Sequence, residues 1–168
     1  EEAADAVREL KEAGITKVVM MTGDSERTAA AIAKRVGVDE YYSEVLPEDK
    51  ASFVEKEKKL GHKVIMIGDG INDSLALSSA SVGIAISDGA AIAREIADVT
   101  ISADNLHEIV TLKRLSTALM KRIHNNYRTI IGVNGGLIAL GVTGVIMPTT
   151  SALLHNLSTL TISLRSMR

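Results

Sequence analysis

The sequence contains no cysteine. That absence excludes a disulfide scaffold, a thiolate nucleophile and any cysteine-ligated zinc or iron–sulfur centre. Tryptophan is missing too, and three Tyr and one Phe are the only aromatics. With a formal net charge of −2, the chain lacks both the basic footprint and the stacking rings of a nucleic-acid binder. Charge itself disappears from one long stretch: no Lys, Arg, Asp or Glu lies between Arg128 and Arg165. Elsewhere the charge density is ordinary for a soluble protein, so the chain is made of two materials. Its 168 residues give room for about one domain. It opens on Glu1 rather than Met, with no basic-plus-apolar leader, and reads as a piece of something longer.

Residues 3–13 place Ala3, Val7 and Leu10 at helical spacing, and Gly14 stops the pattern. Residues 15–21 are apolar and β-rich, which predicts a buried strand. Ser25 is placed to cap a second helix over residues 27–36 that ends at Gly37. An irregular stretch around Pro47 leads to a third helix over residues 50–61 and a second buried strand over 63–68. The alternation continues with a loop at 68–73, a short helix to about Ala80, a strand at 81–86, a small helix at 91–97 and a strand at 98–101. Strands alternating with helices of this length specify a parallel sheet covered on both faces. Residues 1–103 therefore read as one α/β layer structure.

Residues 104–128 form a basic connecting helix, with Lys113, Arg114, Lys121, Arg122 and Arg128 against two acids, Asp104 and Glu108. It runs straight into the uncharged tract. As a helix, Thr129 to Pro148 extends about 30 Å, the hydrocarbon thickness of a bilayer. Thr149 to Leu164, with its flanks, is long enough to cross back. Residues 129–168 thus read as a transmembrane helical hairpin. Basic residues before the first span and after the second place both ends in the cytoplasm. Gly132, Gly135, Gly136, Gly141 and Gly144 would weaken a helix in water but suit close packing in lipid. A buried amphipathic hairpin in a soluble helical subdomain is the competing reading.

Three polar clusters fall at strand ends or beside them, where open α/β sheets bind ligands. Thr22, Gly23 and Asp24 follow the first strand, offering a hydroxyl and a glycine N–H to a phosphate oxygen; the same residues also suit a plain turn and helix cap. Pro47-Glu48-Asp49-Lys50 brings a lysine able to neutralise a phosphoryl group, or simply a solvated lysine at a helix start. Gly68-Asp69-Gly70-Ile71-Asn72-Asp73 ends the second strand and opens a helix. Its hard oxygen ligands on a glycine-flexed loop suit Mg²⁺, which holds phosphoryl groups while keeping several waters. Hydroxyl, lysine and acidic pair arrive in the order that metal-assisted phosphoryl chemistry requires.

MTGD, PEDK and IGDGINDSLAL, followed by a basic helix and the uncharged tract, resemble the C-terminal part of a P-type ATPase, most closely the transition-metal exporting class. The likeness covers essentially the whole chain. It implies a haloacid-dehalogenase-like, Rossmannoid phosphorylation domain, with ATP and Mg²⁺ as cofactors. It also implies that Thr22 and Gly23 bind the phosphoryl group, with Asp24 near it and the nucleotide phosphates. Lys50 would contact phosphoryl oxygens, Asp69 would ligate Mg²⁺, and Asn72 and Asp73 would complete the hinge and phosphate site, Asp73 sharing the Mg²⁺. The family's nucleophile, the Asp of an Asp-Lys-Thr-Gly-Thr string, has no counterpart among these residues: Asp49-Lys50 continues with Ala51. Without it no aspartyl phosphate forms. The resemblance thus implies a membrane-embedded parent, with its phosphorylation domain cytoplasmic, that hydrolyses ATP and moves a cation. These residues by themselves would do neither, because the actuator, nucleotide-binding and earlier membrane segments lie in other parts of that parent. A soluble phosphatase of the same superfamily and a membrane-tethered Mg²⁺- or phosphate-binding module are the alternatives.

Polar groups inside membrane helices are costly and tend to mark a pathway. Ser151, His155, Ser158 and Thr159 fall on one face of the second span, and Asn134 in the first can face them. Imidazole favours divalent transition metals. The hydroxyls can equally bond back to their own helix while His155 packs. His155-Asn156-Leu157-Ser158-Thr159 resembles a variant of the His-Glu-Gly-Gly-Thr string in the last helix of cobalt, zinc or iron exporters. The flanking His and Thr match, but Asn156 removes the carboxylate and Leu157 and Ser158 replace small residues. A copper(I) set of soft sulfur ligands is not evident, since Met147 stands alone and Cys is lacking.

Overall fold

A computed structural model describes residues 2–69, 72–86, 95–101 and 106–166. Two compact units divide the chain, residues 1–113 and 114–168. In the first unit, α1 (Glu2–Glu12) carries Glu2 and Asp5 in its first turn and Lys11 in its last, matching the helix dipole, and buries Ala6 and Leu10 one turn apart. β1 (Val19–Met21) leads to α2 (Glu26–Val36), which buries Ala29 and Ala33 at the same spacing. β2 (Glu40–Tyr42) precedes α3 (Pro47–Lys59), which buries Val54. β3 (Ile65–Gly68), α4 (Ser74–Ser79), β4 (Val82–Ile86) and β5 (Val99–Ile101) complete the alternation.

All strand pairs are parallel, as the alternation requires, but the expected single sheet is two. β1 pairs with β2, Val19 opposite Glu40, while β3, β4 and β5 form a second sheet in that order. Among the described residues no strand bridges β1 and β3, so each keeps one edge unpaired. The first strand is also shorter than residues 15–21 and only half-buried. β2 offers it just three partners, and the Val18 N–H donates to the Asp39 carboxylate (2.8 Å) instead of to a neighbouring strand. The stretch around Pro47 is ordered rather than irregular: it holds β2 and the first turn of α3, where Pro47 needs no donor and its fixed φ suits helix entry. The small helix expected at 91–97 falls largely outside the described residues.

The core gathers Leu10, Ile84, Ile101, Ile109 and Val110, with Ile67 and Val99 packed against it. α4 is clamped between α3 and β4, and its Leu77 is only 1% exposed.

The second unit takes most of α5 (His107–Val142) and all of α6 (Pro148–Ser166). The helix expected from Thr129 through Pro148 stops at Val142. Gly144 adopts φ 74°, the Val145 N–H donates to the Leu140 carbonyl (3.0 Å) and the Gly144 N–H to the Gly141 carbonyl (3.1 Å). This left-handed closure satisfies the last carbonyls, and Pro148 begins the next helix. The uncharged helical part of α5 is thereby cut to about 21 Å. Among the described residues no helix is long and apolar enough to cross a membrane. Asn126 Nδ2 donates to Ser166 Oγ (3.1 Å), and His155 Nδ1 lies 2.8 Å from Asn134 Oδ1, so the two helices run antiparallel. No described residue from 114 to 166 is buried.

Leu77→Ala removes a fully buried side chain from the α3–α4–β4 junction and should cost about 2–5 kcal/mol in urea unfolding. A loss below about 1 kcal/mol would mean that α4 does not anchor this region.

Candidate phosphoryl and metal sites

Thr22 sits one residue beyond β1. Its N–H donates to the Tyr42 carbonyl (3.0 Å), extending the β1–β2 ladder to the loop itself. Its hydroxyl donates to Asp24 Oδ2 (2.9 Å) and accepts from the Asp24 N–H (3.1 Å). The loop is latched from outside as well: the Glu44 N–H donates to the Asp24 carbonyl and the Val45 N–H to the Thr22 carbonyl, both at 3.0 Å. Glu44 achieves this at φ 53°, a left-handed conformation uncommon for a non-glycine residue. Gly23 lies at the open side, where a Cβ would meet nothing closer than the Val45 carbonyl oxygen at 3.9 Å.

Residues 43–45 are in turn held by Glu26, the first residue of α2, whose carboxylate accepts from the Ser43 hydroxyl (2.6 Å) and the Tyr41 hydroxyl (2.7 Å). These two donors, Ser43 foremost, hold the Glu26 carboxyl below the ordinary carboxylate range. Beside the loop, a cavity of about 230 Å³ opens between Tyr42, Val45 and Phe53, and the Tyr42 and Phe53 rings meet at 5.3 Å.

The other two clusters converge. Lys50, in the first turn of α3, donates its ammonium to Asp73 Oδ1 at 2.7 Å, with the two side chains 15% and 11% exposed. Asp73 caps α4, its carbonyl accepting from the Leu77 N–H (2.8 Å). It is the only buried charged residue among those described. Packing of α3 on α4 therefore brings together two residues that lie 23 positions apart. Gly68 is required for this arrangement, because a Cβ there would fall 2.7 Å from Asp73 Cβ and 2.8 Å from its Cγ. At the same strand end Asp69 is exposed, and its Oδ1 accepts weakly from the Asn72 N–H (3.4 Å).

Lys50, Asp69, Asn72 and Asp73 thus collect at the carboxyl end of β3. Thr22, Gly23 and Asp24 stand at the carboxyl end of β1, in the other sheet. Asp73, expected to share Mg²⁺, accepts the lysine ammonium at Oδ1. Among the described residues no three His, Asp or Glu side chains form a metal-binding group. Asp69 alone still fits Mg²⁺, which is commonly held by one or two carboxylates and completes its shell with water and substrate phosphate.

In the second unit His155 and Asn134 do meet. Ser158 and Thr159 do not point their hydroxyls toward them: both donate to the His155 carbonyl, at 2.8 and 3.1 Å. Of the five polar groups expected along the pathway, His155 and Asn134 are placed together across the hairpin. Sequence reasoning missed Glu26 and the Lys50–Asp73 pair. Glu26 reads as an ordinary first-turn acid, and no local spacing signals a partner so distant in the chain.

Residues 1–81 match the family model for haloacid dehalogenase-like hydrolases, and the α/β unit is a domain of that kind. The chain as a whole has heavy-metal-exporting P-type ATPases as its homologues. It is 38% identical to the zinc-exporting P-type ATPase of Mycobacterium marinum over 99% of its own length and 23% of that protein. The copper-exporting P-type ATPase of Bacillus subtilis is 40% identical over 97% of this chain and 20% of that protein. A solved zinc-transporting PIB-type ATPase in the E2P state superposes on 99% of the chain with a TM-score of 0.84 at 33% identity, covering 27% of that structure. The chain spans about a quarter of the length of these relatives.

The Lys50–Asp73 pair should behave as a coupled unit. In a double-mutant cycle of Lys50→Met and Asp73→Asn, each single change leaves the other group half-buried and unpaired, so the double variant should recover about 1–3 kcal/mol relative to additivity in thermal or urea unfolding. Strict additivity would mean that the contact does not hold α3 to α4.

Proposed function

We propose that the chain supplies the phosphoryl–Mg²⁺ half-site and two membrane helices of an ATP-driven transition-metal transporter of the P-type class. The reading is carried by the partly buried Lys50–Asp73 pair beside exposed Asp69 at a strand's carboxyl end, in a chain alike over its whole length to heavy-metal transporters. In this reading Gly23 holds a phosphoryl oxygen through its backbone N–H, and Thr22 through its hydroxyl once that O–H turns away from the Asp24 carboxylate to which it donates in this structure. Lys50 places its positive charge where negative charge builds on the transferring group. Asp73 keeps that ammonium aimed, and Asn72 steadies the loop that carries Asp69. Bound Mg²⁺, held on this chain by Asp69, would supply further neutralisation of phosphate charge.

The nucleophile belongs to a segment outside these residues, since no Asp-Lys-Thr-Gly-Thr string occurs in them. The unpaired edges of β1 and β3 support a place for a strand that carries it, set between the loops of Thr22 and Asp69. Alone, the 168 residues form no aspartyl phosphate and hydrolyse no ATP.

Lipid embedding of the hairpin is supported by its lack of any core. Ile138, Val142, Val145, Met147, Leu153 and Leu157 are each more than half exposed, a surface that water disfavours and lipid or neighbouring helices would accept. The break at Gly144 calls for the shorter apolar helices to be met by local bilayer thinning or by flanking polar residues at the interface. For the transported cation, a divalent metal is favoured. With Nδ1–H donated to Asn134, the His155 Nε2 is the nitrogen left to bind it, an orientation typical of ligating imidazoles.

In the complete transporter, Asp69→Ala should abolish phosphoenzyme formation from labelled ATP and Mg²⁺; normal phosphorylation would remove Asp69 from the site. His155→Ala should lower metal-stimulated ATPase activity at least tenfold while the protein stays inserted. An unchanged metal response would return His155 to a packing role.

A further inference from the structure

The charge of this chain is divided unequally. No acidic residue follows Glu108, so residues 114–168 hold six basic and no acidic side chains. The net −2 therefore divides into +6 over that unit and −8 over residues 1–113. Such asymmetry points to an anionic partner for the basic part.

The fold concentrates this charge. Arg114, Lys121 and Arg128 recur every seven residues along α5, which puts them on one face, and Arg122 adjoins the stripe. The bond from Asn126 to Ser166 brings the end of α6 alongside, placing Arg165 on the same level as Arg122 and Arg128. Lys121, Arg122, Arg128 and Arg165 are all exposed. The basic groups gather at the open end of the hairpin, and everything from there to the turn at Gly144 is uncharged. Tyr127, 63% exposed, stands at the boundary, as aromatic anchors do between headgroups and hydrocarbon.

We propose that Lys121, Arg122, Arg128 and Arg165 form a cationic collar that binds the phosphate headgroups of anionic phospholipids. The inference deepens the membrane reading of the hairpin and rests on it. Positive charge alone would serve a nucleic acid equally well. The exposed uncharged apolar surface directly beyond the collar has no use there, and it is what a lipid's acyl chains would cover. Anionic headgroups attract each nearby basic residue enough to change partitioning about fivefold, an effect that salt screens.

Flotation of the full chain with vesicles tests this, using phosphatidylcholine alone and an equimolar mixture of phosphatidylcholine with phosphatidylglycerol, each at low and high salt. Partitioning should be at least tenfold stronger on the anionic vesicles, and high salt should erase the difference. Replacing all four collar residues with Gln should reduce binding to the phosphatidylcholine level, while Arg→Lys at 122, 128 and 165 should preserve it. Circular dichroism of each variant separates lost binding from lost helix, and the salt response of the unaltered chain is independent of any variant. Equal binding to both vesicles overturns the collar and leaves the membrane reading standing. Binding to neither overturns the membrane reading and the collar with it. Release from anionic vesicles by a short RNA at matched phosphate concentration would overturn the lipid assignment in favour of nucleic acid.

Discussion

The ion pair between Lys50 and Asp73 is the contact on which the proposed phosphoryl site depends. A partly buried ammonium and carboxylate at 2.7 Å satisfy one another where either alone would be costly. Their meeting requires three independent conditions: Pro47 starting α3 early enough to put Lys50 in its first turn, Asp73 at the cap of α4, and no side chain at Gly68 to fill the space between strand and carboxylate. Once met, they tie α3 to α4 next to the loop that carries the exposed Asp69. In the proposed reading, this fixed charge pattern would be ready to stabilise charge that develops during phosphoryl transfer.

The Thr22 loop is built on a different principle. Its hydroxyl is spent on Asp24, and its backbone is bound by residues 44–45, which Glu26 holds through two hydroxyls. β1 and β3 each keep one edge unpaired among the described residues. In the proposed reading, a strand joining the two sheets would lie between the Thr22 and Asp69 loops.

Much of this was legible in the residues themselves. Gly68 to Asp73 is a dense polar string directly after an apolar run, and both its strand and its helix are where periodicity puts them. β2 was not legible, because Glu40, Tyr41 and Tyr42 are all exposed and show none of the alternation that burial on one face imposes. The partnership of Lys50 with Asp73 was hidden for another reason: tertiary packing, rather than local spacing, brings them together. The glycines of the uncharged tract are visible in the sequence, but a Cβ at Gly132, Gly135, Gly136, Gly141 or Gly144 would meet nothing within 4 Å, so none of them lines a close helix–helix contact here. Gly144 ends a helix instead of lining a helix–helix contact, and that closure is what shortens α5. Likewise Ser158 and Thr159 share a face with His155, as spacing indicates, yet their hydroxyls bond to its carbonyl, the option that helical geometry always offers to such residues.

The central claim is that the loops of Thr22 and Asp69 serve one phosphoryl group. The most direct measurement follows the backbone amide resonances of Thr22, Gly23, Asp69 and Asn72 in a protein containing the complete phosphorylation domain, during titration with beryllium fluoride and Mg²⁺. If one site is shared, all four resonances move with a single midpoint and remain still when Mg²⁺ is omitted. Movement of the Asp69 loop with no response from Thr22 and Gly23 would contradict the account.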